Sequence, residues 1–491
     1  MSIIKVENLT FHYPNTYNNI FENTSFVLDT DWKLGFIGRN GKGKTTFLKL
    51  LQGEYPFDGR IVYSVKFDYF PSKIENAEAT TETVLQKIAV NAQTWQFEKE
   101  LSLLQTNKDI LQQKFCSLSE GEQTKVLLVG FFLKEGYFHL IDEPTNHLDA
   151  FSRQTVANYL KNKKGFIVVS HDRTFLDICT DHILALNRNT LEVQKGNYTS
   201  WERNFRYRQS HEQTANEKLT KEIEKMKQDA LRKQQWANKI ESSKIGEHQG
   251  DRGYIGHMSA RMAKRAKASE SRRQRAIEEK SALLKDVEET PQLKLSALRY
   301  RLDRLAEFKN VALFYGEKQV CKEISFEINN GDKIAINGIN GSGKSTLLRL
   351  IAGKHSDYCG IVNIRPDLTM SCVPQNTSFL KGSLNDFISD SNIDKTLFLT
   401  ILRKMDFDRQ QFDKKMENYS LGQKKKVVLA RSLCQKAHLY LWDEPLNYID
   451  LYSRLQIEQL LADSNITMVF VEHDSAFCNA VATKQLHLEK L

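Results

Sequence analysis

Residues 38–45 read Gly38-Arg-Asn-Gly-Lys-Gly-Lys-Thr45, and residues 338–345 read Gly338-Ile-Asn-Gly-Ser-Gly-Lys-Ser345. Both are G-x-x-x-x-G-K-[ST]. The first follows the apolar run Trp32-Lys-Leu-Gly-Phe-Ile37 and precedes Phe47, Leu48, Leu50 and Leu51 at helical spacing; the second follows Lys333-Ile-Ala-Ile-Asn337. Strand, glycine loop, helix is the context in which such a loop wraps a polyphosphate. Glycines let backbone N–H groups turn inward, and the helix start adds the positive end of its dipole. Gly38, Asn40, Gly41, Gly43 and Thr46 form this cradle in the first copy, and Gly338, Asn340, Gly341, Gly343 and Thr346 in the second. Lys44 and Lys344 are expected to reach the terminal phosphates, and Thr45 and Ser345 to ligate Mg²⁺.

Downstream of the first loop stand Leu118-Ser-Glu-Gly-Glu122 and Phe138-His-Leu-Ile-Asp142-Glu143-Pro. The second predicts a buried strand with its carboxylate at the C-terminal end, beside the phosphates. Asp142 is expected to hold Mg²⁺ through water, and Glu143 to polarise an attacking water as general base. Another strand, Gly165-Phe-Ile-Val-Val-Ser170, ends at His171, placed to meet the γ-phosphate. Taken singly, an acidic pair can cap a helix and a histidine can be structural. The set, however, recurs: Tyr419-Ser-Leu-Gly-Gln423, Leu439-Tyr-Leu-Trp-Asp443-Glu444 and Met468-Val-Phe-Val-Glu-His473 lie 301 to 302 residues after their first-copy counterparts. Four motifs repeated at near-constant offset mark a tandem duplication. Asp443, Glu444 and His473 are therefore expected to repeat the roles of Asp142, Glu143 and His171.

Loop, signature, Asp-Glu pair and histidine, in this order and spacing, resemble the nucleotide-binding domain of ATP-binding-cassette (ABC) proteins. The resemblance implies an α/β fold with two tandem P-loop ATPase domains that bind and hydrolyse ATP with Mg²⁺. It implies that the domains close head to tail, so that Ser119 and Gly121, and likewise Ser420 and Gly422, meet the γ-phosphate held by the opposite domain. It also implies that Tyr13 and Tyr315 stack on adenine, and that Gln375, in Val-Pro-Gln, is the loop glutamine that joins the metal ligands. The copies depart from the family pattern in places. Ser72 stands where the first copy should have that glutamine, Leu421 replaces a signature glycine, and Leu446, Tyr448 and Ile449 replace the usual Thr, His and Leu. Both lysines and both glutamates remain, so two competent ATP sites are expected.

Between the copies, Gly196–Pro291 holds two long runs without proline or glycine around a tip with glycine at 246, 250, 253 and 256. This predicts a helical hairpin. Leu219, Ile223, Met226, Ala230, Ala237 and Ile240 mark a coiled-coil seam on the outgoing helix. Residues 203–275 carry 19 Lys+Arg and 9 Asp+Glu, a net of +10, against +9 for the whole chain. The basic character thus sits on the hairpin, as phosphate contact requires. Lys244, His248, Arg252, Tyr254, Arg261, Lys264 and Arg265 are expected to contact RNA, the aromatic groups by stacking. The expected division is 1–200, 201–292 with its tip near 244–258, and 293–491.

No run of about 18 apolar residues exists, as a membrane-spanning helix would need. The opening Met-Ser-Ile-Ile-Lys-Val-Glu predicts a strand and no secretory leader. Seven scattered cysteines without a C-x-x-C point to a reducing cytosol. Duplicated cassettes joined by a basic helical linker resemble the ABC-F branch of the family. The absence of a large insertion between Ser72 and Leu118, the second signature and the tip Asp251-Arg-Gly-Tyr-Ile-Gly-His257 resemble its antibiotic-resistance members, most of all the Lsa type. That resemblance implies a cytoplasmic, ribosome-associated monomer whose two ATPase domains pair within one chain. Its partners would be the bacterial ribosome, through 23S rRNA and P-site tRNA. From the ribosomal E site it would relieve inhibition by lincosamides, pleuromutilins and streptogramin A. A housekeeping translation factor of the same branch, the ATPase subunit of a drug exporter and a DNA-acting ABC ATPase are the alternatives.

Overall fold

The computed structural model describes residues 2–14, 19–72, 74–146, 148–187, 190–242, 295, 297–316, 318–355, 357–407 and 411–489. The expected tip contacts Lys244, His248, Arg252, Tyr254, Arg261, Lys264 and Arg265 lie outside them. The chain divides into two compact units, Met1–Trp201 with Pro291–Leu491, and Glu202–Thr290.

The first unit contains the same α/β cassette twice. In the first copy a parallel sheet runs, in spatial order, Lys66–Phe70, Tyr137–Asp142, Phe166–Val169, Lys33–Gly38 and His182–Asn187, with Thr190–Lys195 antiparallel at its edge. The second copy repeats the order as Met370–Val373, Leu439–Asp443, Met468–Val471, Lys333–Asn337 and Lys484–His487. Phe166–Val169 and Met468–Val471 are buried at every position, as strands covered on both faces require. This burial explains their near-continuous apolar composition. Both carboxylate strands and both loop strands end on the same side of their sheet, where α/β folds place their ligands.

A second, antiparallel sheet accompanies each parallel one. Ile3–Phe11 pairs with Phe21–Asp29 and Asp58–Val62; Arg304–Tyr315 pairs with Ile324–Asn329 and Tyr358–Ile364. The helix after each glycine loop, Lys44–Leu51 or Lys344–Ile351, is wedged between the two sheets. Phe47 meets Phe21, Phe26 and Phe36 with ring centroids 5.6 to 6.0 Å apart. Burying these side chains stabilises the cassette by roughly 2 kcal/mol each, and it locks the helix start that faces the phosphates.

The linker opens with a helix over Tyr198–Ser242, 45 residues and about 67 Å long at 1.5 Å per residue. The run without glycine or proline predicts this helix well. Its start is capped: Asn197 Oδ1 accepts the Ser200 N–H at 3.1 Å. Its first turn is tied to the body of the first unit. Tyr198 and Trp201 are buried, Thr199 N donates to Asp177 Oδ1 at 2.7 Å, and Trp201 lies edge-on to Tyr452. Within the second unit, Arg206 pairs with Glu202 one turn before it. No helix of the described residues is long and apolar enough to cross a membrane.

Candidate active sites

Gly43 and Gly343 hold the positive φ values of 110° and 90° that swing the chain from loop into helix. At Gly43 a Cβ would also come within 2.4 Å of Ile20. The helix that follows offers its first N–H groups to the loop's hollow. Lys44 Nζ lies across that hollow, donating to Gly38 O at 2.8 Å, Arg39 O at 3.1 Å and Asn40 Oδ1 at 3.2 Å. Lys344 Nζ donates to Gly338 O at 2.8 Å and Ile339 O at 2.9 Å.

Each loop faces the other cassette. A cavity of about 890 Å³ is lined by Asn40, Gly41, Gly43, Lys44, Thr45, Thr46, Asp142, Glu143 and His171 from the first cassette, and by Ser420, Leu421 and Gly422 from the second. Its counterpart, about 910 Å³, is lined by Asn340, Gly341, Gly343, Lys344, Ser345, Thr346, Gln375, Glu444 and His473, with Glu120, Asn146 and Arg153 from the first cassette. The cassettes meet around these cavities. Asn40 Nδ2 donates to Tyr448 O at 2.8 Å, Asp149 Oδ2 accepts the Asn340 N–H at 3.3 Å, and Arg454 Nη1 donates to His171 O at 2.8 Å. Arg173 pairs with Glu458 and lies 3.6 Å from Asp474.

Each signature serine caps a helix. Ser119 caps Glu120–Phe132, and Ser420 caps Leu421–Cys434, each in a reciprocal box with the residue three positions on. The residue after each serine also lines a cavity, Glu120 the second and Leu421 both. Leu421 is 55% exposed at the first position of its helix. Gly422 is different: a Cβ there would lie 2.5 Å from Tyr448 O.

The carboxylates differ between copies. Thr45 Oγ1 and Tyr69 OH both donate to Asp142 Oδ2 at 2.8 Å. Glu143 Oε1 lies 3.3 Å from His171 Nε2 and, buried, has no hydrogen-bond partner. Burial, helped by Asp142, pushes the Glu143 carboxyl up to about 8 against the pull of Lys44, Arg454 and Arg153. Burial, helped by Lys44 and Arg454, holds His171 well below the usual imidazole range. In the second copy Glu444 Oε2 accepts from Gln375 Nε2 at 2.8 Å and Asn447 Nδ2 at 2.7 Å, while Oε1 lies 3.4 Å from His473 Nε2. Burial pushes Glu444 up, but His473, Gln375 and Lys425 outweigh it and leave the group at about 2. Ser345 donates to Asp443, whose Oδ1 is buried without a partner. Glu143 and Glu444 both sit at positive φ, 51° and 45°.

The donor set suits a hard cation. Each site offers one hydroxyl and one carboxylate beside a polyphosphate cradle, which is how Mg²⁺ is usually held. Among the described residues no cluster of three or more His, Cys, Asp or Glu side chains forms a metal cage of its own.

Several expected residues sit at the margins. Ser119 and Gly121 flank Glu120, which lines the second cavity. Tyr13 lines the first cavity, packs edge-on to Phe11 and bonds Thr46 Oγ1 at 2.9 Å. Tyr315 closes its strand opposite Lys318, and Lys318, Gln319 and Val320 line the second cavity there. The sequence motifs did not point to Tyr69, Asn447, Asp149, Arg173 or Glu472. For Tyr69 the one available signal was the nearby departure at Ser72.

A sequence model of the ABC transporter family matches residues 21–146 and 321–447. The chain is 27% identical over 489 residues to the ribosome protection protein VmlR of Bacillus subtilis, covering 99% of this chain and 86% of that protein. It is 25% identical over 519 residues to the energy-dependent translational throttle protein EttA of Escherichia coli K12, covering 95% and 88%. It is 25% identical over 513 residues to the ATP-binding protein Uup of Buchnera aphidicola, covering 100% and 81%. Among solved structures, the archaeal ribosome recycling factor aABCE1, crystallised with the stalk protein aP1, superposes with a TM-score of 0.65 at 18% identity. That match covers 98% of this chain and 87% of the other. It speaks for the fold alone. The duplicated cassettes bind ATP and hydrolyse it, and the chain belongs to the ABC family as an ABC-F ATPase with two ABC domains.

Proposed function

We propose that this chain is an ATP-dependent ribosome protection factor. It binds the ribosomal E site, and its linker extends past displaced P-site tRNA toward the peptidyl-transferase centre. There it relieves inhibition by lincosamides, pleuromutilins and streptogramin A, as the Lsa-type resemblance suggests. The observation that carries this reading is similarity to a ribosome protection protein along 99% of the chain, linker included. The net charge of +10 on residues 203–275 supports an RNA partner. The working division is residues 1–200 and 293–491 as ATPase domains, with 201–292 as the linker whose tip, near 244–258, meets RNA.

In this reading each ATP is held by one cassette's loop and the other's signature. Lys44 and Lys344 bind the terminal phosphates, and Ser119, Gly121, Ser420 and Gly422 approach the γ-phosphate from across the interface. Tyr13 and Tyr315 stand at the adenine end. Thr45 with Asp142, and Ser345 with Asp443 and Gln375, hold Mg²⁺, which neutralises charge on the phosphates when bound. Glu143 and Glu444 orient the attacking water and take its proton, while His171 and His473 contact the γ-phosphate. ATP is then a ligand that prefers the closed pair, and hydrolysis releases the factor.

Expression of the chain in drug-sensitive bacteria is expected to raise the inhibitory concentrations of these three drug classes. Deletion of residues 246–256 is expected to cancel that protection while ATP turnover persists. Unchanged drug inhibition would favour a housekeeping translation factor, a role that similarity to EttA also supports.

A further inference from the structure

We propose that Glu472 is a positioning residue of the second ATP site, its buried carboxylate tying the loop after Glu444 to the strand end that carries His473. The proposal rests on the assignment of Glu444 as base and His473 as its partner at the γ-phosphate. Glu472 Oε1 accepts the Leu446 N–H at 2.7 Å, and Oε2 accepts the His473 N–H at 3.1 Å. One side chain, 5% exposed, thus fixes the backbone on both sides of the Glu444–His473 contact. Arg454 and Arg153 provide the opposing charge nearby.

The first cassette joins the corresponding segments with different chemistry, bonding the residue after its histidine and not the histidine itself. Thr145 Oγ1 and Ser170 Oγ lie 3.0 Å apart, and Ser170 Oγ accepts the Asp172 N–H at 3.2 Å. Thr145 corresponds to Leu446, and Ser170 to Glu472. Leu446 is fully buried and has no hydroxyl to offer. A serine at 472 would face a hydrocarbon and leave the Leu446 N–H without its acceptor, a cost of about 1–3 kcal/mol for a buried group. The longer acid passes the side chain and reaches the backbone directly, and a charged acceptor makes the stronger bond. Leu446 and Glu472 are therefore one exchange, Thr–Ser for Leu–Glu, that preserves the placement of the base against the histidine. Displacing such a group by about 1 Å can cost on the order of 100-fold in rate.

The test uses the full-length chain with Glu143→Gln, so that steady-state ATP turnover reports the second site. Adding Glu472→Ser is expected to lower kcat about 10-fold or more, with KM for ATP within about 3-fold, because the side chain does not reach the nucleotide. Adding Leu446→Thr as well rebuilds the first-cassette pair and is expected to restore kcat to within about 3-fold of the background. An unchanged kcat in Glu472→Ser, or a double variant no better than the single, overturns the proposal. Turnover that survives Glu444→Gln in the same background removes the base assignment and the proposal with it. Turnover that is lost there but indifferent to Glu472 removes the proposal alone.

Discussion

In the first cassette the strand leading into the loop at Ser72 reaches Asp142, through Tyr69. In the second, the equivalent loop reaches Glu444, through Gln375. Cys372 stands where Tyr69 stands, and Ser72 where Gln375 stands, so neither copy can make the other's contact. The same backbone thus supports two arrangements of polar partners. Glu444 Oε2 accepts two hydrogen bonds, whereas Glu143 keeps a buried oxygen without one; each glutamate's Oε1 faces its histidine at 3.3 to 3.4 Å. The two copies keep the loop lysine, the Asp-Glu pair and the histidine, and differ in the side chains that support them.

The largest expected effect lies at the signature of the second cassette. Gly422→Ala adds a methyl 2.5 Å from Tyr448 O, in the loop whose carbonyl also receives Asn40. With Glu444→Gln isolating the first site, its turnover is expected to fall about 100-fold. In the Glu143→Gln background the second site is expected to lose much less. Equal losses would mean that the two cavities close as one and would erase the distinction between them.

A smaller effect is expected from Tyr69→Phe. Removing its hydroxyl leaves Asp142 with Thr45 alone, so the Mg²⁺ concentration for half-maximal first-site turnover should rise about 10-fold. The second site should not respond. A shift in both, or in neither, would deny Tyr69 its specific place.

The smallest effect concerns stability. His139, buried between Phe131 and Phe132, occupies the position of Tyr440 in the second copy. Burial, with Lys134 and Lys163 adding to it, pushes its imidazole down to about 4. The folded value lies below the unfolded one near 6.5. The neutral ring's contribution is therefore complete above about pH 6.5 and is lost as pH falls toward 4. The loss amounts to about 2–3 kcal/mol. Urea unfolding of the first cassette at pH 7 and pH 4.5 should reveal it, and His139→Tyr should diminish it. Equal acid sensitivity of the variant would place the effect elsewhere.

Much of this molecule was legible in its sequence because the signals are local. Glycine spacing specifies the phosphate loops, unbroken apolar runs specify the buried strands, and the long run without glycine or proline specifies the linker helix. The supports of the sites were not legible. Tyr69 matters only because its strand lies beside the one ending at Asp142, and Arg173 only because Glu458 comes from the other cassette. Leu446 is a bare departure from the family pattern in sequence, whereas in the fold its N–H meets Glu472 Oε1. Leu421 replaces a signature glycine, yet its helix keeps the same serine capping box as the first copy. Such compensations depend on register and interface, which one-dimensional spacing does not encode.

The central claim is that ATP, bound between the paired cassettes, puts this chain on the ribosome. It is tested most directly by sedimenting bacterial ribosomes with the Glu143→Gln, Glu444→Gln double variant, with and without ATP. Loss of both proposed bases should slow hydrolysis by about 100-fold or more, so the variant should pellet with ribosomes when ATP is present and stay in solution when it is not. Equal pelleting in the two conditions, or none in either, would contradict the claim.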